Sequence, residues 1–100
     1  MTAGGSITMA VVEVFGKDGC AKCKAAKDKL THYVTKQSLQ QEVDLIFYDV
    51  ETVDGMAESA FKDVHEIPTT IVTRNEDVIA RWEGCVPPTT EFAQSVVPVA

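Results

Sequence analysis

Two spacings of apolar residues alternate along the chain. Val11-Val12-Glu13-Val14-Phe15 is β-branched and aromatic and predicts a strand. Gly16-Lys17-Asp18-Gly19 follows as a loop. From Ala21 to Lys36 the residues are mostly Ala, Lys and Leu, which favour a helix. There Cys23, Ala26, Leu30, Tyr33 and Val34 recur at helical spacing and predict one inner face. Val43 to Val50 reads as a second strand, and its nearly continuous apolar run suits a sheet covered on both sides. Thr52 or Asp54 then caps a second helix, with Met56, Ala60, Phe61 and Val64 on one side and Ile67-Pro68 ending it. Thr69 to Thr73 and Val78 to Trp82 predict a hairpin around the polar turn Arg74-Asn75-Glu76-Asp77, and Gly84 breaks its second arm. Pro87-Pro88-Thr89-Thr90-Glu91 opens a third helix, with early prolines and an acid in the first turn. Phe92, Val96 and Val97 are expected to face inward there, and Pro98 to stop it.

The element order is therefore β-α-β-α-β-β-α. A strand, a crossover helix and a strand imply parallel pairing with a right-handed connection, and the terminal hairpin adds an antiparallel edge. The expected fold class is α/β: a four-stranded mixed sheet flanked by three helices on its two faces. One hundred residues suffice for one such domain, here residues 9–100 behind a loose tail of residues 1–8. A hydrophobic content of 45% and a charged content of 24% are ordinary for globular chains and exclude disordered and collagen-like classes. Unbroken apolar runs such as Leu45-Ile46-Phe47-Tyr48 fall far short of the ~20 residues of a membrane span. The opening Met1 to Ser6 has neither a basic start nor a following apolar stretch, so no signal peptide is expected. A monomer in the thiol-reducing cytoplasm is the reading.

Charge changes this picture only locally. The net charge of −6 argues against nucleic acid as a partner, because neutralising phosphates needs a basic surface. Residues 17–36 nevertheless carry six lysines against two aspartates, a net of +4, whereas the other eighty residues carry three basic and thirteen acidic side chains, a net of −10. The basic stretch surrounds two of the three cysteines. It reads either as a solvated face or as a dock for an acidic partner protein.

Those two are Cys20-Ala21-Lys22-Cys23, placed where the first strand turns into the first helix. The first turn of a helix has unpaired N–H groups and the positive end of the dipole, and both favour a thiolate at Cys20. The dipole contributes roughly 0.3–1 kcal/mol, up to ~2 when partly buried, and ~1.36 kcal/mol shifts a pKa by one unit. Together with one or two of the nearby lysines, and against the opposing Asp18, that can move a thiol from a pKa of ~8.5 towards ~7, from a few per cent ionised at neutral pH to about half. Cys23, one turn on, is near enough to close a disulfide and more covered. Such a pair works by exchange: Cys20 attacks a substrate disulfide, and Cys23 then resolves the mixed disulfide. The competing readings are structural cysteines or a metal site. A four-cysteine zinc site within one chain is excluded, since there are only three cysteines.

At this point the chain resembles the thioredoxin-like superfamily. The resemblance is carried by Val14-Phe-Gly-Lys-Asp-Gly-Cys-Ala-Lys-Cys23, by Ile67-Pro68-Thr69 downstream, and by Gly84 after the hairpin. Lys17, three places before Cys20, looks like glutaredoxins, and Ile67-Pro68-Thr69 looks like thioredoxins. The element order matches over nearly the whole chain beyond residue 10. The resemblance implies a thioredoxin-like fold, with Cys20 as nucleophile and Cys23 as resolving thiol. It also implies a cis peptide bond at Ile67-Pro68 facing the pair, exposing the Ile67 backbone to an extended substrate segment. Lys17, Ile67, Pro68, Gly84 and Cys85 are the substrate-binding residues it suggests. The implied partners are disulfide-containing proteins, with a reductase or glutathione as electron donor. No cofactor is implied beyond glutathione as a co-substrate. The sequence departs from thioredoxins in having Gly19 before the pair and Ala21-Lys22 within it. Val14 and Phe47 stand near the places where thioredoxins carry a buried Asp and its Lys neighbour. Glu83-Gly84-Cys85-Val86-Pro87 stands where glutaredoxins carry their Gly-Gly and Asp segment.

The remaining candidates are weaker. Cys85 reads as a third thiol at the rim of the site or as a small, half-buried apolar residue. His65-Glu66 does not continue as a zinc-protease helix, because Thr69 occupies the fourth place on and Pro68 intervenes. His65 and His32 read as surface residues, and Trp82 as packing. Two other classes of function compete with disulfide exchange. One is a thiol-ligated metal or iron–sulfur module using Cys20 and Cys23 with Cys85 as a third ligand. The other is a docking domain in which the cysteines are incidental.

Overall fold

Side-chain alternation along the first strand divides the molecule into two unlike sides. The structure, a computed structural model, describes residues 9–96. The expectations for residues 1–8, Val97 and Pro98 lie outside the described residues. In chain order the elements are β1 (Ala10–Gly16), α1 (Ala21–Lys36), β2 (Val43–Asp49), α2 (Val53–Phe61), β3 (Thr69–Arg74), β4 (Asp77–Glu83) and α3 (Thr89–Val96). The strands lie in the order β2-β1-β3-β4, with β1 parallel to β2 and antiparallel to β3, and β3 antiparallel to β4. This is the expected mixed sheet with its three helices.

On one side, Val12 and Val14 of β1 join Ala26, Leu30 and Val34 of α1, Val43, Val72, and Phe92 and Val96 of α3 in the apolar core. Tyr33 meets Phe92 edge-on, with ring centroids 5.7 Å apart. Trp82 tilts against the same ring at 6.3 Å and donates its indole N–H to Glu91 Oε1 at 2.9 Å. Trp82 is thus a packing residue whose polar edge is satisfied.

The other side begins with Glu13 and Phe15. Phe15 stacks on Tyr48 with centroids 5.1 Å apart. Glu13 is only 5% exposed and pairs with Lys62 Nζ at 2.5 Å, just past the end of α2. Pairing sets Glu13 beside Ile71 and Ile71 beside Arg81. The Arg81 guanidinium donates to the carbonyls of Lys62 and Asp63, both at 2.8 Å. Burial, together with the negative charge of Glu58 and Glu13, raises the Tyr48 hydroxyl above its ordinary pKa, with Lys62 opposing.

Here the expected helix differs from the observed one. Met56 and Phe61, which share one apolar side of that helix, are 53% and 81% exposed, so the stripe is not a buried face. The reason lies at the start of α2. Thr52 caps it, its Oγ1 accepting from Gly55 N–H at 3.0 Å and donating to the Asp49 carbonyl at 2.7 Å. Gly55 is pressed so closely onto that carbonyl that a Cβ would collide with it. This anchor sets the rotation of α2 and turns its apolar stripe outward, over a sheet face that Glu58, Ser59 and Lys62 partly cover. The helix also ends well before Pro68. Asp63 takes φ 58, its N–H bonds to the Ala60 carbonyl, and Val64 N–H bonds to the Ser59 carbonyl. That is a Schellman ending. Ser38, Thr35, Leu39 and Val34 make the same arrangement after α1.

β2 also departs from expectation. It is an edge strand, only Val43 in it is buried, and Phe47 is 38% exposed. The hairpin turn is as predicted, with Asn75 and Glu76 both at positive φ, the geometry whose twist matches the flanking strands.

Candidate active site

Three strands bring separate parts of the sequence to one end of the sheet. Gly16 closes β1 opposite Asp49 of β2. Phe15 pairs with Thr69, and Thr69 with Glu83, so Pro68 and Gly84 lie one step further along that end. Gly84 N–H donates to the Pro68 carbonyl at 2.8 Å, and the Gly84 φ of +70° turns the chain away. The Ile67-Pro68 bond is cis, as the resemblance implied.

At Gly16 a Cβ would lie 2.8 Å from Cys23 Cβ and 3.0 Å from its Sγ. The absence of a side chain is what lets the first turn of α1 rest on β1. Gly19, at φ +81°, directs the loop into the helix. Cys20 is the N-cap, an unusual residue there, and its Sγ accepts the Cys23 N–H at 3.2 Å. Cys20 and Cys23 form a disulfide with Cα atoms 5.2 Å apart. Cys20 is half-buried, and Cys23 is buried against Gly16. The helix head that would stabilise a Cys20 thiolate is therefore present, and no acid stands in its first turn to oppose the charge.

Beside the pair, on the β2 side, runs a groove of about 590 Å³ lined by Val14, Lys17, Cys20, Cys23, Lys27 and Phe47 among others. Val14 and Phe47 thus line the groove beside the pair, whereas the partly buried ion pair Glu13–Lys62 belongs to the opposite face of the sheet. Lys27 Nζ lies 5.1 Å from the centroid of the Phe47 ring. Lys24 is bound to Asp28 at 2.6 Å, and that hydrogen bond and charge raise its pKa. Part of the expected positive field of α1 is neutralised there. Lys17 and Lys22 are exposed beside the cysteines.

Cys85 is a free, exposed thiol, which overturns the reading of a half-buried apolar residue. Among the described residues, no three His, Cys, Asp or Glu side chains converge on a point that could hold a metal ion. His65 and His32 are exposed, and His65 pairs with Asp63 at 2.8 Å.

Two features were not assigned from sequence. One is the Glu13–Lys62 pair, signalled only by a lone acid within an apolar strand. The other is Glu66, whose side chain lies against Gly84; nothing in the sequence pairs these two residues.

No family model and no curated protein matches the sequence. Solved structures match by shape. Thioredoxin 1 of Thermosipho africanus is 24% identical over 86% of this chain and 89% of its own, with a TM-score of 0.68. Thioredoxin-2, a component of malaria parasite protein secretion machinery, is 14% identical over 93% and 85%, with a TM-score of 0.74. Mitochondrial thioredoxin 3 of Saccharomyces cerevisiae, in oxidised form, is 19% identical over 86% and 76%, with a TM-score of 0.68. The chain has the thioredoxin fold. Among the described residues no helix is long and apolar enough to cross a membrane.

Proposed function

We propose that this chain is a thiol–disulfide oxidoreductase that reduces disulfides in protein substrates through Cys20 and Cys23. The observation that carries the reading is the Cys20 sulfur at the cap of α1, accepting the Cys23 N–H while bonded to the Cys23 sulfur. The same N–H that meets a disulfide sulfur here would meet a thiolate in the reduced protein, and charge-assisted hydrogen bonds are roughly twice as strong as neutral ones.

In the reduced protein, the Cys20 thiolate attacks one sulfur of a substrate disulfide. A Cys20–substrate bond forms, the substrate S–S bond breaks, and the other substrate sulfur leaves as a thiolate that takes up a proton. Cys23 loses its proton and attacks Cys20, which releases the second substrate thiol and closes the Cys20–Cys23 bond. Two electrons pass to the substrate, and the protein is left in the oxidised form seen here. A reductase, or thiols such as glutathione, returns two electrons. The burial of Cys23 fits the resolving role, because only Cys20 is open to a bulky disulfide. Ile67, Pro68 and Gly84 supply backbone beside the pair for an extended substrate segment, with Lys17 and Cys85 at its margins. A reducing direction suits a cytoplasmic setting.

The test is reduction of insulin disulfides with a dithiol as electron source. Cys20→Ser abolishes turnover. Cys23→Ser accumulates a mixed disulfide at Cys20, seen as a mass adduct that excess dithiol releases. Turnover in Cys20→Ser equal to that of the unaltered chain would sink the reading.

A further inference from the structure

We infer that Glu66 is a specificity-determining residue of the disulfide site, favouring disulfides that carry a cationic group beside the reacting sulfur and disfavouring anionic ones such as glutathione disulfide. The inference rests on the oxidoreductase reading above.

Glu66 immediately precedes the Ile67–Pro68 cis bond, and its carbonyl accepts from Thr69 Oγ1 at 2.6 Å. A Cβ built at Gly84 would lie 3.7 Å from Glu66 Cβ, 3.3 Å from its Cδ and 2.8 Å from its Oε2. The side chain therefore lies along Gly84 over its whole length, and Gly84 is bonded to Pro68. This sets the carboxylate on the margin along which a substrate segment pairing with Ile67 would run.

The neighbouring acids are engaged. Glu83 pairs with Arg81 at 3.2 Å, and Asp63 with His65 at 2.8 Å. Among the described residues no cation pairs with Glu66, so its charge stands uncompensated. On the α1 side Lys17 and Lys22 are exposed and outnumber the exposed Asp18, which leaves a net positive charge there. The field across the reacting sulfurs thus runs from positive at α1 to negative at Gly84. A peptide with Lys or Arg on the Gly84 side of its cysteine is attracted, and an anionic group there is repelled.

The experiment follows oxidation of the reduced protein by three symmetrical disulfides in single turnover: cystamine (cationic), bis(2-hydroxyethyl) disulfide (neutral) and glutathione disulfide (anionic). Each is compared between the unaltered chain and Glu66→Gln, so the intrinsic reactivity of each probe cancels. Glu66→Gln slows cystamine roughly three- to tenfold and speeds glutathione disulfide by a similar factor, the effect of one charge at ~6 Å in a largely aqueous dielectric. The neutral probe is unchanged, which also shows that the variant is folded with its dithiol intact. Glu66→Lys enlarges both shifts, and ~1 M salt, with a screening length of ~3 Å, shrinks them. Equal factors for all three probes, or no change in any, would overturn the role of Glu66 while leaving the oxidoreductase reading intact. Failure of the unaltered chain to react with any of the three would instead overturn that reading.

Discussion

The two faces of the sheet are held by different physics. Beneath α1 and α3 the interior is apolar save for Thr70, which pairs with Val14: Val12, Val14, Leu30, Val72, Phe92 and Val96 are buried there, and the buried Thr70 hydroxyl has no partner among the described residues. Beneath α2 the sheet presents Glu13, and the cover is a short helix whose apolar residues look outward while Lys62 reaches inward. The first face derives its stability from area removed from water; the second also buries Phe15 and Ile71, but depends in addition on a pair of charges meeting correctly. A cluster of apolar residues tolerates gradual loss. A buried charge that loses its partner leaves the other stranded.

The sharpest way to break this contrast is Phe92→Ala. Phe92 is fully buried between Tyr33 and Trp82, and its truncation costs about 3–5 kcal/mol, read from the urea midpoint. Next is Lys62→Met, which strands the Glu13 carboxylate. We expect a loss of about 2–3 kcal/mol, below the range for a fully enclosed pair because Lys62 keeps a quarter of its surface in water. Adding Glu13→Leu to that variant recovers most of the loss, since well-packed apolar residues often replace a buried pair at no cost. A double variant as unstable as the single one would show that the pair holds α2 in place by more than its charges. The smallest effect is expected at Phe61→Ser, within ~0.5 kcal/mol, because the ring is almost wholly in solvent. A large loss there would show that the α2 stripe is covered in solution.

The same contrast explains what could be read in advance. α1 was legible because its apolar spacing and its burial agree: of the predicted inner residues, Cys23, Ala26, Leu30 and Val34 are buried and Tyr33 is half-buried against the core. α2 was not, because its orientation comes from the contact of Gly55 with Asp49, a tertiary restraint that periodicity does not record. β2 misled for a related reason: its apolar run reads as an interior strand, but topology makes it an edge. The strand–cysteine–helix junction announced itself through residue types and spacing; that the Cys20 sulfur caps the helix emerged only from the structure. Glu66 did not, since only the folding of β3 against β4 brings position 66 onto position 84.

The outer border of the sheet has its own consequence. Val72 pairs with Ala80 but Thr73 with Val78, so Ile79 is a supernumerary residue on β4, and both Val78 and Ile79 lean into solvent. A bulge of this kind bends the strand and interrupts its ladder. A foreign β-segment zipping along β4 would fall out of step within a few residues. This margin, greasy as it is, resists fibril-like stacking by being crooked, and straightening it by deleting Ile79 would remove that safeguard.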